Sequence, residues 1–328
     1  MVTACGGDES SEVSAAPDEN PYAGETVTFV VPYDPGGGYD VYARVMAPYL
    51  EQALDATVVV ENQPGAGGLV AISSLAQAGD DPNTIAIMNG AGNGAAVLAG
   101  APGANFDLDG LSYVARIADE PLVLLTRPDG EFTTTDDVAA SESFRFGSTG
   151  LGSSDYIGAE VITDAMDLEG AEIITGFKDS STLLLAVLAG DVDGYIASYG
   201  SAITQVESGE AVPVLTLGPE RLDDMPDSPS ILELDLDKEE QAVAEGYLSL
   251  VQMARPVVAA PEIDETHLAA LRDALGEVLQ NPEFLAEMEQ QKRPISYLSG
   301  EELDELVQAL VDDVSPAFEE LLVESFAG

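Results

Sequence analysis

Two glycine-rich turns hold the residue types best suited to chemistry in this sequence. Gly36-Gly37-Gly38, following Tyr33 and Asp34, precedes one stretch of helical periodicity. Gly150 and Gly152, among Ser148, Thr149 and Ser153, precede another. A helix N-terminus leaves main-chain N–H groups without partners and carries the positive end of the helix dipole. Glycine there lets an anion approach without interference from a β-carbon. Two such cradles facing each other across a cleft would suit a small molecule with carboxylates. Charge-assisted hydrogen bonds are worth about 1.5–3 kcal/mol each, so roughly three to five of them support the ~8 kcal/mol of a micromolar binder after ordering costs. By pattern alone, small-anion binding and purely structural turns both stay open. Nucleotide binding fits less well, because a P-loop needs Gly-Lys-Ser/Thr and no lysine lies near either turn. The spacing in Pro32-Tyr33-Asp34-Pro35-Gly36-Gly37-Gly38 is not that of a dinucleotide fingerprint.

Scarcity excludes other chemistry. With one cysteine, Cys5, and one histidine, His267, the chain can build neither a Cys/His zinc site nor an internal disulfide. No metal or other cofactor is expected. A serine hydrolase using Ser148 or Ser153 would have His267 as its only histidine base. That residue sits in an amphipathic helical pattern, where it is expected to face solvent. The 60 acidic residues against 11 basic ones give a net charge of −49. Such a chain is repelled by nucleic acid and by anionic lipid, so neither is an expected partner. The acids are scattered, as on a solvated surface, and salty surroundings would suit them.

The elements that must position the turns alternate. Thr26–Val31 reads as a buried strand, Asp40 as the N-cap of the helix that follows, Thr57–Val60 as a second strand, and Thr84–Met88 as a third ending at Asn89. The alternation restarts downstream: Phe144–Gly147, a helix from about Asp155 to Met166, a strand at Glu172–Thr175, a helix over Ser181–Ala189 and a strand at Gly194–Ala197. From about Asp264 the chain reads as largely helical, broken at Pro282, Pro294 and Gly300. Strands alternating with helices imply an α/β fold with mixed, mainly parallel sheets, and 328 residues suit two lobes. At the start, Val2-Thr3-Ala4-Cys5 resembles the lipobox of bacterial lipoproteins. Residues 1–24 are then an anchor, lipidated at Cys5, and a polar tether. No apolar run approaches the ~18 residues of a membrane span.

The run from Val27 to Gly68 resembles the N-terminal signature of the substrate-binding receptors of tripartite tricarboxylate transporters, the Bug family. Asp40, Ala43-Arg44, Val59-Val60-Glu61-Asn62 and Pro64-Gly65-Ala66-Gly67-Gly68 match it in order. The likeness continues at Gly147-Ser148, Gly150, Gly152-Ser153, Phe177-Lys178, Ser180, Leu188, Gly190 and Val192-Asp193. It covers residues 25 to about 325, most strongly in the first third. The resemblance implies a two-lobed, type II periplasmic-binding-protein fold (a Venus flytrap), with lobe 1 at 25–120 plus 251–328 and lobe 2 at 121–250. It also implies an exported, lipid-anchored, monomeric, non-enzymatic receptor that passes a small carboxylate to the two membrane subunits of a transporter. A sensory receptor of the same fold, serving a signalling membrane protein, is the rival reading.

Carried over by resemblance, the lobe 1 cradle is Tyr33 through Gly38 with Asn89. The lobe 2 cradle is Ser148, Thr149, Gly150, Gly152 and Ser153, with Lys178 and the strand Asp193 to Ser198 nearby. This sequence departs from the family at Asp34, where the usual residue is small or apolar, at Tyr39, at Asp179 and at Ala197. Asp34 either turns outward into solvent, as a neutral change, or meets a ligand that has an amine or a broader body. Asp40 either caps its helix, the favoured reading, or binds an amine, and Lys178 either reaches the ligand or pairs with a nearby acid. The loop from Glu61 to Gly68 reads as structural or transporter-facing.

Overall fold

The computed structural model describes residues 20–119 and 121–327; Cys5 and the expected tether lie outside them. The described elements run β1 (Thr26–Val31), α1 (Gly38–Leu54), β2 (Thr57–Asn62), α2 (Leu69–Ala76), β3 (Thr84–Ile87), α3 (Gly90–Leu98) and β4 (Ser112–Arg116). They continue as β5 (Leu122–Thr126), α4 (Thr135–Ala139), β6 (Arg145–Gly147), α5 (Ser154–Ala165), β7 (Glu172–Ile174), α6 (Ser180–Ala189), β8 (Gly194–Ser198), α7 (Tyr199–Glu207) and β9 (Val212–Leu217). The chain finishes with α8 (Lys238–Met253), β10 (Pro256–Ala259), α9 (Glu265–Leu279), α10 (Pro282–Gln290), β11 (Leu298–Ser299), α11 (Gly300–Asp312) and α12 (Pro316–Ala327).

These strands form two mixed sheets, ordered β11-β4-β10-β3-β1-β2 and β7-β6-β8-β5-β9. Parallel pairing joins β1 to β2 and β3 in one sheet, and β6 to β7 and β8 in the other. β10 and β11 in the first sheet and β5 in the second pair antiparallel. The two antiparallel strands β5 and β10 each follow a point where the chain passes from one sheet to the other, after β4 and after α8. Those passages carry the chain between the two sheets.

Alternation along the strands shows why their apolar runs are unbroken: both faces are covered. In β1, Val27, Phe29 and Val31 join a core with Tyr42, Met46 and Leu50 of α1 and Leu275 of α9, while Val30 points to the opposite face. In β5, Val123 and Leu125 pack with Leu183 and Val187 of α6, while Leu122 and Leu124 face the same core as Val30. That shared core also holds Ile157, Tyr247 and Leu250, so α5 and α8 are packed between the sheets. The helical stretch breaks at Pro282 as expected, between α9 and α10: the proline occupies the first turn of α10, where its missing N–H costs no helical hydrogen bond, behind an Asn281 cap.

Candidate ligand-binding cleft

The loops leaving β1, β6, β7 and β8 each turn directly into a helix, so the N-termini of α1, α5, α6 and α7 gather at one end of the two sheets. Residues of these turns line a cavity of about 250 Å³. Tyr33, Asp34, Gly36, Gly37, Gly38 and Asn89 line it from the first sheet, and Thr149, Lys178 and Ser198 line it from the second. Asp34 is thus part of the wall.

Tyr33 organises the lobe 1 side. Its hydroxyl donates to the carbonyl of Gly67 at 2.9 Å and accepts from Asn89 Nδ2 at 2.8 Å. Burial pushes that hydroxyl well above the ordinary tyrosine range, so it stays a donor. Asn89 also caps α3, accepting from the N–H of Gly92. The ring of Tyr33 lies 4.7 Å from that of Tyr39, and the guanidinium of Arg255 sits 4.1 Å from the centre of the Tyr39 ring and 4.8 Å from that of Tyr42.

Six of the expected site residues do not line the cavity. Asp40 is not the N-cap of α1; Gly37 is, and Asp40 stands in the first helical turn. Its carboxylate turns back beneath the loop, accepting from the N–H of Gly36 at 2.9 Å, from Arg44 Nε at 2.9 Å and from Asn62 Nδ2 at 2.9 Å. Burial alone would push this carboxyl up, but those hydrogen bonds and the Arg44 charge outweigh it, and the group ends below the usual carboxylate value.

On the lobe 2 side, Ser148, Gly150, Gly152 and Ser153 do not line the cavity, and the two serines bond within their own turn. Ser148 Oγ accepts from the N–H of Gly150 at 3.1 Å, and Ser153 Oγ donates to the carbonyl of Gly150 at 2.6 Å. Gly152 gives its carbonyl to Asn93 Nδ2 at 3.2 Å. Asp193 pairs with Arg145 at 2.7 Å, anchoring β6 to the turn before β8. The expected ring of bare amides is therefore corrected at two positions. The Gly150 amide is taken by Ser148, and the Thr149 amide donates to Asp155 Oδ2 at 2.6 Å. Asp155 is 8% exposed, and desolvation pushes its carboxyl above the ordinary value despite the help from Thr149.

The cavity also contains residues that motif reading passed over: Ser154, Asp155, Ser201, Gln205 and, above all, Arg255 and Arg293. Arg255 Nη2 donates to Ser198 Oγ at 3.1 Å, and Arg293 Nη1 donates to Ser201 Oγ at 3.3 Å. Arg255 immediately precedes β10 of the first sheet and Arg293 follows α10, whereas both serines belong to β8 and α7 of the second. The sequence did hold a signal for Arg255, a charge set inside the apolar run Met253-Ala254-Arg255-Pro256-Val257-Val258. Next in sequence to Arg293, Lys292 pairs with Glu207 of α7. His267 is half-buried rather than simply facing solvent: its ring meets Tyr22 edge-on at 5.1 Å and its Nδ1 pairs with Asp264. It does not line the cavity. Among the described residues, no group of three or more His, Cys, Asp or Glu side chains is placed to hold a metal.

Comparison with known proteins was consistent across sequence and fold. The family model described as "Tripartite tricarboxylate transporter family receptor" matches residues 42–321. Protein BugT of Bordetella pertussis is 28% identical over 278 residues, spanning 82% of this chain and 81% of that protein. Among solved structures, MatC from Rhodopseudomonas palustris with bound malate superposes with a TM-score of 0.74 at 22% identity, covering 91% of this chain and 99% of that one. An R. palustris protein with adipate gives 0.70 at 20% identity, covering 92% and 97%. At such identities the two structural likenesses speak for the fold.

Proposed function

Because the chain belongs to the tripartite tricarboxylate transporter receptor family, we propose that it captures a small carboxylate between two lobes and presents it to the membrane subunits of such a transporter. Lobe 1 takes residues 25–120 and 251–328, and lobe 2 takes 121–250. This division follows sheet membership, with β5 and β10 as the strands on which the lobes turn. The single observation that carries the reading is the cavity where the α1, α5, α6 and α7 N-termini meet Arg255 and Arg293. In a chain of net charge −49, positive ends and guanidinium groups are concentrated at one enclosed spot. An anion gains from that arrangement, with Asp34, Asp155 and Asp179 sharing the wall.

Malate and adipate, bound by two proteins of the same fold, support a small carboxylate as the ligand class. Tyr33, Gly36 to Gly38, Asn89, Thr149, Lys178 and Ser198 are the contacts carried over from sequence, and Asp34 limits how much negative charge the ligand can bring to its side. The receptor works outside the cytoplasm as a monomer, held by a lipid on Cys5, and no described helix is long and apolar enough to cross a membrane. It performs no turnover: Ser148 and Ser153 are enclosed within their own turn, and His267 lies on α9.

Thermal-shift screening tests this with mono-, di- and tricarboxylates, amino acids, nucleotides and sugars. A ligand that binds only the folded state at a hundred times its Kd adds about 2.7 kcal/mol of stability. Stabilisation by a carboxylate is expected. A response confined to nucleotides or sugars would refute the assignment.

A further inference from the structure

We propose that the ligand of this receptor is an amino carboxylate, with its ammonium group at Asp34 of lobe 1 and its carboxylate at Lys178 of lobe 2. The inference rests on the carboxylate reading above and names the substrate class within it.

The balance of charge on the cavity wall points this way. Among the described residues, three acids and three bases line it: Asp34, Asp155 and Asp179 against Lys178, Arg255 and Arg293. A wall so balanced has no surplus of positive charge to offset a second or third carboxylate. Each further negative charge on the ligand meets fixed acids as well as fixed bases, in a recess where solvent and salt screen them less than at the open surface. A ligand carrying both signs finds a partner for each.

Four of the six groups are engaged by the protein itself. Asp155 accepts from the Thr149 amide at 2.6 Å and from the Thr149 hydroxyl at 2.8 Å. Asp179 caps α6, accepting from the N–H of Thr182 at 2.8 Å. Arg255 and Arg293 are held by Ser198, Ser201 and further contacts. Asp34 and Lys178 remain. Lys178 commits only its main-chain N–H, to Thr182 Oγ1 at 3.1 Å. Among the described residues, neither the Asp34 carboxylate nor the Lys178 ammonium takes part in a hydrogen bond or ion pair, and the two do not pair with each other.

These two charges come from opposite sides of the cleft. Half-exposed Asp34 lies in the loop between β1 and α1, and Lys178 directly precedes the cap of α6. An ionised carboxylate only accepts hydrogen bonds and an ammonium only donates them, so Asp34 suits an amine and Lys178 an acid group. One uncommitted charge of each sign, one from each lobe, on a cavity of about 250 Å³ fits a small dipolar guest. Closing the lobes on a diacid would instead bring a carboxylate towards Asp34.

The test is isothermal titration of the full chain with paired ligands. Succinate is set against β-alanine, glutarate against γ-aminobutyrate and adipate against δ-aminovalerate, each exchanging one carboxylate for an amine; succinate against aspartate adds an amine. The parent should bind the amino member of at least one pair about ten- to a hundredfold more tightly, as one charge-assisted hydrogen bond allows. Asp34→Asn should erase that preference from both directions, weakening the amino member and tightening the diacid. A damaged fold would weaken both, so the gain for the diacid is the diagnostic. Lys178→Gln should weaken both members several-fold, because the carboxylate they share loses its cation; unchanged affinities would overturn the lobe 2 half of the assignment. If the parent binds a diacid at least as tightly as every amino counterpart, or if Asp34→Asn keeps the parent's preference, the amino carboxylate is wrong and the carboxylate reading stands. If the parent binds no member of any pair, both fall.

Discussion

Asn93 Nδ2, on α3 of one lobe, donates to the main-chain carbonyl of Gly152 in the other at 3.2 Å and to that of Gly67 at 3.1 Å. One amide thus ties the Glu61 to Gly68 loop to the Gly150–Gly152 turn, two segments that sequence reading had treated separately. The turns touch backbone to backbone. A β-carbon on Gly67 would stand 2.6 Å from the carbonyl carbon of Gly152, and one on Gly92 would stand 2.6 Å from the amide nitrogen of Ser154. The Glu61 to Gly68 motif therefore has a structural role: it is a surface against which lobe 2 rests.

Gly92→Ala is expected to prise this contact open, because its new methyl meets main chain that has no rotamer to yield. Overpacking of this kind costs about 1–3 kcal/mol. The variant should melt earlier, bind a carboxylate ligand more weakly and scatter X-rays as a slightly wider particle. Unchanged melting and affinity would show that the lobes do not meet here in solution.

Asp40 is the hub of the α1 turn. Asp40→Ala leaves the Gly36 amide without its acceptor and Asn62 Nδ2 with the Tyr33 carbonyl alone, and should cost about 1–3 kcal/mol. The ion pair with Arg44 adds little, since that side chain is 48% exposed. Its folded-state pKa lies below the ordinary 3.8. The stability it supplies is therefore complete above that pH and is lost as pH falls through the lower folded value. Denaturant titrations should show the parent and Asp40→Ala differing most above pH 4 and converging in stronger acid. A gap that persists undiminished at low pH would exclude this ionic origin.

How much of this was legible in sequence follows from what each element depends on. β1, α1 and β2 carry their own patterns, a β-branched run or a helical period; the structure has both strands within two residues of expectation and caps α1 at Gly37, three residues before the expected Asp40 cap. α3 does not. Its opening Gly90-Ala91-Gly92-Asn93-Gly94 has almost no intrinsic helical preference, and it is helical because its glycines let it lie close against α8 and the Gly152 turn. That is tertiary information. The same holds for the site. Gly36 to Gly38 announced a close approach, and they do line the cavity. Ser148 and Ser153 look like ligand hydroxyls in one dimension, yet each is consumed by its own turn. Arg255 and Arg293 come from the far end of the chain, and only the fold brings them to Gly38.

Asp155 gives a pH signature of opposite sign to that of Asp40. Burial raises its carboxyl above the ordinary 3.8, despite hydrogen bonds from Thr149. Between 3.8 and the raised value the folded chain holds a proton that the unfolded chain has released. Stability therefore falls as pH rises through that window. Asp155→Asn keeps an acceptor for the Thr149 amide and removes the titration. Other buried acids, Glu160 and Asp164 among them, titrate in the same direction, so the informative quantity is the difference between parent and variant. That difference should shift in favour of Asp155→Asn as pH rises from 4, and a flat difference would show that the Asp155 charge is not strained by burial.

Salt should stabilise the whole molecule. Sixty acids against 11 bases leave most exposed carboxylates facing others of their own sign. Exposed pairs such as Arg221 with Glu233 weaken under screening, but the few bases limit how many such pairs can exist. The repulsion that salt removes is therefore the larger effect. The screening length shrinks from about 10 Å at 0.1 M to about 3 Å at 1 M. Sodium chloride is the right probe, because sulfate would also strengthen burial of apolar surface. The melting temperature should climb steadily across that range. Exchanging the exposed Asp312, Asp313, Glu319 and Glu320 for their amides should raise the low-salt melting temperature and flatten the climb. A parent whose melting is indifferent to sodium chloride would mean that its surface charges are too well solvated to repel one another, and the amide variant would then gain nothing.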